Sequence, residues 1–267
     1  LAITYKIYTL IFYFQKKVFL IKNFLIVMSI NTKYTYLTLL QLSGVNFFLQ
    51  NEPNKDIYLK TTNKDRNIEI KNIEDAKSLN QLLSFVNKSN YCLLKQKAKN
   101  TIFSQGNPES KIMIISDVPN DEEDNVGKLF MGLKGELLDK MLLSINLNRK
   151  DVYITNIIPW CTPKNRIPSS DEILQCMPFV QRHIEIVKPA IIILLGEISA
   201  KNILSSQLDL DRIRGKWHQY QSINLTNSIP VIATYNPTHL LKSTNDKKKA
   251  WDDLKNIKKF IVENEII

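Results

Sequence analysis

Four short aliphatic runs constrain this chain more than any other feature: "KIMIIS" at 111–116, "DVYITNII" at 151–158, "AIIILLG" at 190–196 and "IPVIATY" at 229–235. None keeps a clean polar–apolar alternation, so each reads as a strand buried on both faces. Helical periods separate them: "GELLDKMLLSI", "SSDEILQCMPFVQRHIEIV" and "EISAKNILSS". A last amphipathic helix, "KKKAWDDLKNIKKFIVE", follows. Such strands alternating with helices call for an α/β fold, a parallel sheet with helices on both sides. In open sheets of this kind ligands bind beyond the carboxyl ends of the strands.

The residues at those ends are therefore the first candidates for function. They are Ser116-Asp117, Thr155-Asn156, Gly196-Glu197 and Thr234-Tyr235-Asn236-Pro237. The Asp117 carboxylate and the Asn156 and Asn236 carboxamides would then converge on one rim. Each alone is a common turn former; three together point to a site. Seven glycines and no Gly-rich phosphate loop argue against an ordinary nucleotide-binding module.

The formal net charge is +10, which favours an anionic partner. Residues 1–27 carry four lysines and no acid, so residues 28–267 hold 10 − 4 = +6. That leading stretch is apolar but broken by lysines, with too short an uninterrupted run to span a bilayer. It lacks the cleavage site of a signal peptide. The expectation is that the protein proper begins at Met28 and that 1–27 is an upstream leader; a peripheral membrane helix is the alternative. Residues 28–105 read as a helical extension and linker. Three cysteines form no even disulfide framework and suit a reducing cytoplasm.

The ordered set "GNPESKIMII", "EEDNVGKLFMGLKGELLDKML", "VYITNIIPW", "NRIPSSDEILQCMPFVQRHIEIVKPAIIILLG", "RIRGKWHQY" and "IATYNPTHLLK" resembles the uracil-DNA glycosylase superfamily. The likeness is to its family 4, and the Trp160 version is similar to an alphaproteobacterial branch. It places the glycosylase-like domain at 106–267. The resemblance implies a three-layer αβα sandwich around a four-stranded parallel central sheet. It also implies hydrolysis of the uracil–deoxyribose bond in DNA, acting on a base flipped out of the stack. The partner is then uracil-containing DNA, and the chain a monomer with no stable membrane partner. A catalytically weakened DNA- or uracil-binding protein of the same fold is the alternative.

The same resemblance assigns roles. Phe130 stacks on uracil, and Asn156 reads its O4 and N3–H through one carboxamide. Pro119 lies in the loop that lines the base. Asp117 stands where the family has glutamate and orients water. Asn236 stands where the family has histidine, and its amide donates to uracil O2. His239 supplies a side-on substitute or a groove contact. Leu240 and Leu241 form a wedge for the minor groove. Arg166, Arg214 and Lys242 touch phosphates. Trp217 and Trp251 anchor the last strand and helix.

Many family 4 members hold a [4Fe–4S] cluster on four cysteines. Cys92 and Cys176 match two of those positions. The others fall on Ser89 and Trp160, with Cys161 one residue off. The expectation is no cofactor, the cluster being the alternative.

Overall fold

The structure, a computed structural model, describes residues 73–90 and 92–266. The expectations for residues 1–72 lie outside them. Six strands form one sheet: β1 Gln105–Gly106, β2 Ile112–Ser116, β3 Tyr153–Asn156, β4 Ile191–Leu195, β5 Trp217–Tyr220 and β6 Ile229–Thr234, in the order β1-β3-β2-β4-β6-β5. The four central strands run parallel. Every residue of β2, β3 and β4 is buried, as their unbroken apolar sequence requires. The two edge strands are antiparallel additions to the four anticipated ones.

Side chains alternate across the strands, which splits the core into two layers. Met113, Ile115, Tyr153, Ile192 and Leu194 face a first layer. It is built on α1 (Leu79–Lys88), α2 (Leu94–Lys97), α5 (Ser170–Val187) and α6 (Glu197–Ile203). Ile112, Ile114, Ile154, Ile193 and Ile232 face the other. It holds α4 (Gly132–Ser144), α8 (Pro237–Lys242) and α9 (Lys247–Glu263). Two short helices, α3 (Asp121–Val126) and α7 (Leu210–Ile213), complete the set among the described residues. The αβα sandwich is thus present.

Local sequence chemistry sets the helix starts that frame the rim. Asn120 caps α3 in a reciprocal box with Glu123, and Ser169 does the same for α5 with Glu172. Asn236 caps α8 ahead of Pro237, whose missing N–H suits a first helical position. Trp217 stacks on Phe260 of α9, 3.9 Å between ring centroids, and so anchors β5 as expected. Trp251 is 45% exposed and does not anchor the core. No helix among the described residues is long and apolar enough to cross a membrane.

Candidate active site at the carboxyl rim of the sheet

The ladder of central strands ends in one rung: Asn156 opposite Ser116, Ser116 opposite Leu195, Leu195 opposite Thr234. Two residues earlier on each strand, Ile154, Ile114, Ile193 and Ile232 face the α4–α9 layer. By alternation the rung faces it too. Phe130 belongs to that same layer. The fold therefore places Asn156 and Phe130 on one side of the sheet.

Asn156 is 5% exposed, and its Nδ2 is buried with no hydrogen-bond partner. Among the described residues it is the one buried side-chain polar atom left so. An unmade hydrogen bond of this kind costs about 1–3 kcal/mol. Phe130, between α3 and α4, is buried and adopts φ 50°. Pro119 is buried just before the cap of α3.

Asn236 differs from the sequence expectation. Its Nδ2 donates to Ser116 Oγ (3.0 Å) and to the Leu195 carbonyl (3.1 Å). Its Oδ1 accepts from the Thr238 N–H. Both amide hydrogens are committed to the scaffold, so the donor expected at uracil O2 is already engaged. His239 is also engaged: its Nε2 lies 2.8 Å from Asp246 Oδ2, and its ring stacks on Tyr235 at 4.9 Å.

The side chain of Asp117, one residue past β2, engages the opposite helical layer. Its Oδ1 accepts the Ser199 N–H of α6 at 2.7 Å. Its Oδ2 lies against Gly196, where a Cβ would stand 2.0 Å away; Gly196 itself has φ 120°. Both facts demand glycine there. Burial pushes the Asp117 carboxyl up to about 6, with the Ser199 hydrogen bonds pulling against it. The Asp117 backbone stays beside Asn156, its carbonyl accepting the Ile157 N–H at 3.2 Å, while its carboxylate reaches α6.

The predicted DNA contacts divide in the same way. Leu240 is 1% exposed and sits in the core, which corrects its assignment as half of a wedge; Leu241 is 42% exposed. Capping by Asn236 sets the phase of α8, and only one of two adjacent leucines can then point inward. Arg214 is held by Asp253 and the Lys249 carbonyl, with its guanidinium 5.3 Å from the Tyr235 ring. That partnering corrects its assignment as a phosphate ligand. Arg166 binds Glu172 through both terminal nitrogens (2.8 and 2.5 Å) yet keeps an exposed flank. Lys242 is exposed.

The cysteines do not fit a four-thiolate cluster. Cys92 and Cys176 are fully buried free cysteines. Trp160, at a third cluster position, is 1% exposed. Its Nε1–H donates to Thr101 Oγ1 (3.1 Å), and its ring meets Phe179 edge-on. The Cys161 thiol donates to Asp121 Oδ1 (3.2 Å) and the Thr162 carbonyl. Burial and the acidic residues of α3 push it up to about 12. Among the described residues no three His, Cys, Asp or Glu side chains gather as metal ligands.

Sequence reasoning placed Ser116 at the rim but gave it no role, although it receives Asn236, and it passed over Glu123, which holds the Phe130 N–H. Glu123 carried a readable signal, the Asn-x-x-Glu spacing of a capping box. Ser116 carried none, since its partner lies 120 residues away.

Known proteins give the same picture. The profile described as Uracil DNA glycosylase superfamily matches residues 103–255. The chain is 33% identical over 189 residues to a Type-4 uracil-DNA glycosylase of Saccharolobus solfataricus, covering 69% of this chain and 87% of the relative. It is 34% identical over 176 residues to that of Sulfurisphaera tokodaii, covering 64% and 79%. For the Archaeoglobus fulgidus protein of the same name the figures are 31% over 185 residues, 67% and 92%. With its rim, its sheet and its sequence in agreement, the chain belongs to the uracil-DNA glycosylase superfamily.

Proposed function

We propose that this chain removes uracil from DNA by hydrolysing the bond between the base and deoxyribose. The observation that carries the reading is the buried, unpartnered Nδ2 of Asn156. A pyrimidine seated there supplies the missing acceptor through O4, while its N3–H suits the carboxamide oxygen. Cytosine presents the reverse pattern and would leave both groups unpaired. Phe130, in the same layer of the molecule, is the flat apolar partner that an everted base needs. Leu241 and Lys242, exposed on α8, suit the vacated stack and a phosphate. Because two of the four cluster positions hold Ser89 and Trp160 instead of cysteine, the reading is of chemistry without an iron–sulfur cluster.

One specific observation favours a second reading, a uracil-binding protein with weak chemistry. The Asn236 amide and one Asp117 oxygen are both spent on the scaffold. A duplex carrying a single uracil separates the two. Strand breakage after alkali supports the enzyme. Uracil-selective binding without breakage supports the binder, and neither result sinks both. Iron analysis of freshly isolated protein tests the cofactor assignment.

A further inference from the structure

The segment joining α3 to α4 holds Phe130 in the left-handed region, with φ 50°. An aromatic residue there is sterically disfavoured, and it persists only when its surroundings over-determine it. Those surroundings are unusually complete. The Phe130 N–H donates to Glu123 Oε1. Its carbonyl accepts from Arg149 Nη2 at 3.0 Å. Gly135 packs so closely on that carbonyl that a Cβ would stand 1.9 Å from it. Arg149 is itself fixed by Asp139, with Nε 2.5 Å from Oδ1.

Behind this backbone lies a buried ion pair. Glu123 is 2% exposed; its Oε2 bonds Lys134 Nζ and accepts the Asn120 N–H at 2.9 Å. The Lys134 ammonium, also buried, lies 5.6 Å from the centroid of the Phe130 ring. One carboxylate thus serves the capping box of α3, the backbone of Phe130 and the cation beside its ring. A buried ion pair is a poor device for stability alone. Here its hydrogen bonds fall on the residue that needs to be held.

We infer that Glu123 and Lys134 are positioning residues that set Phe130 as the platform for the everted base. This rests on the reading of Phe130 and Asn156 as the uracil slot. Neither residue touches substrate in this assignment; both act through Phe130. Removing the cation alone strands a buried carboxylate, whereas removing both charges strands none and leaves an amide whose oxygen accepts the Phe130 N–H at the expense of the Asn120 N–H bond.

The test compares wild type, Glu123→Gln, Lys134→Met and the double variant. The readouts are free-uracil binding, excision kinetics on the single-uracil duplex, and amide exchange at Phe130, with melting temperature as a control for folding. Lys134→Met is expected to weaken uracil binding and kcat together by roughly tenfold. KM for the duplex stays near wild type, and Phe130 amide exchange accelerates. Glu123→Gln loses less, and the double variant recovers most of the Lys134→Met loss. Equal uracil binding by folded wild type and Lys134→Met overturns the assignment, as does a double variant no better than Lys134→Met. Should Lys134→Met fail to fold, Glu123→Gln decides on the same readouts: unchanged Phe130 exchange and uracil binding overturn it. Wild type that binds no uracil overturns the slot and the assignment together. Wild type that binds but does not excise overturns the glycosylase reading alone, and the variants still test the platform.

Discussion

Two carboxamides stand at carboxyl ends of the parallel sheet, Asn156 on β3 and Asn236 just past β6. In sequence they look alike: a polar amide after an aliphatic run. In the structure they are opposites. Asn236 spends both amide hydrogens and its oxygen on Ser116, Leu195 and Thr238. Asn156 keeps a buried Nδ2 with no partner. One amide closes the scaffold; the other is left for something that arrives later. A fold that satisfies its other described buried side-chain polar atoms leaves this donor open at the carboxyl rim of the sheet.

The sharpest way to break that contrast is Asn156→Ala. Excision should fall roughly a thousandfold, the scale of losing a donor aimed at developing charge. The melting temperature should hold or rise, because an unsatisfied amide leaves with the side chain. A destabilised but active variant would make Asn156 a structural residue like its counterpart. Next come the paired leucines of α8. Leu240→Ala should cost about 3 kcal/mol of stability, as a buried leucine does. Leu241→Ala should leave melting unchanged and weaken capture of the extruded base. Equal stability losses would end the distinction between inward and outward leucine. Third, Asn236→Ala should cost about 1 kcal/mol for the lost cap, and reduce excision less than tenfold. A loss on the Asn156 scale would return Asn236 to the chemistry.

These contrasts show what the sequence could carry. The central strands were legible because burial on both faces favours runs of aliphatic residues, which 112–116 and 191–195 nearly consist of and 229–234 keeps in Ile229, Val231 and Ile232. The edge strands were not: Gln105–Gly106 has two residues, and Trp217–Tyr220 has mixed exposure and no apolar run. Asn156 was legible as a strand-end amide. The engagement of Asn236 was not, because it depends on partners 120 and 41 residues away. Arg214 read as a phosphate ligand for the same reason. Its carboxylate, Asp253, lies 39 residues on and points inward only once α9 has docked. Charge is visible in a sequence; its neutralisation across the fold is not.

Asp117 supplies the smallest and most discriminating test. The family resemblance makes it a water-orienting carboxylate; in the structure one of its oxygens accepts the Ser199 N–H in the first turn of α6, which has no side-chain cap of its own. Its carboxyl is raised from the ordinary 3.8 to about 6, chiefly by burial. A carboxyl raised by folding adds stability that is complete below pH 4 and is lost as pH climbs through about 6. Asn at this position accepts the same N–H and never ionises. The melting temperature of Asp117→Asn should therefore gain on wild type between pH 4 and 7, then run parallel above it. Excision should stay within about tenfold, because a scaffold acceptor is preserved, whereas removing a general base costs about 10²–10⁴. If instead wild-type kcat rises through a midpoint near 6 and Asp117→Asn abolishes that rise along with most of the rate, the ionised carboxylate does the chemistry. The rim would then have two working groups, one on each side of the sheet.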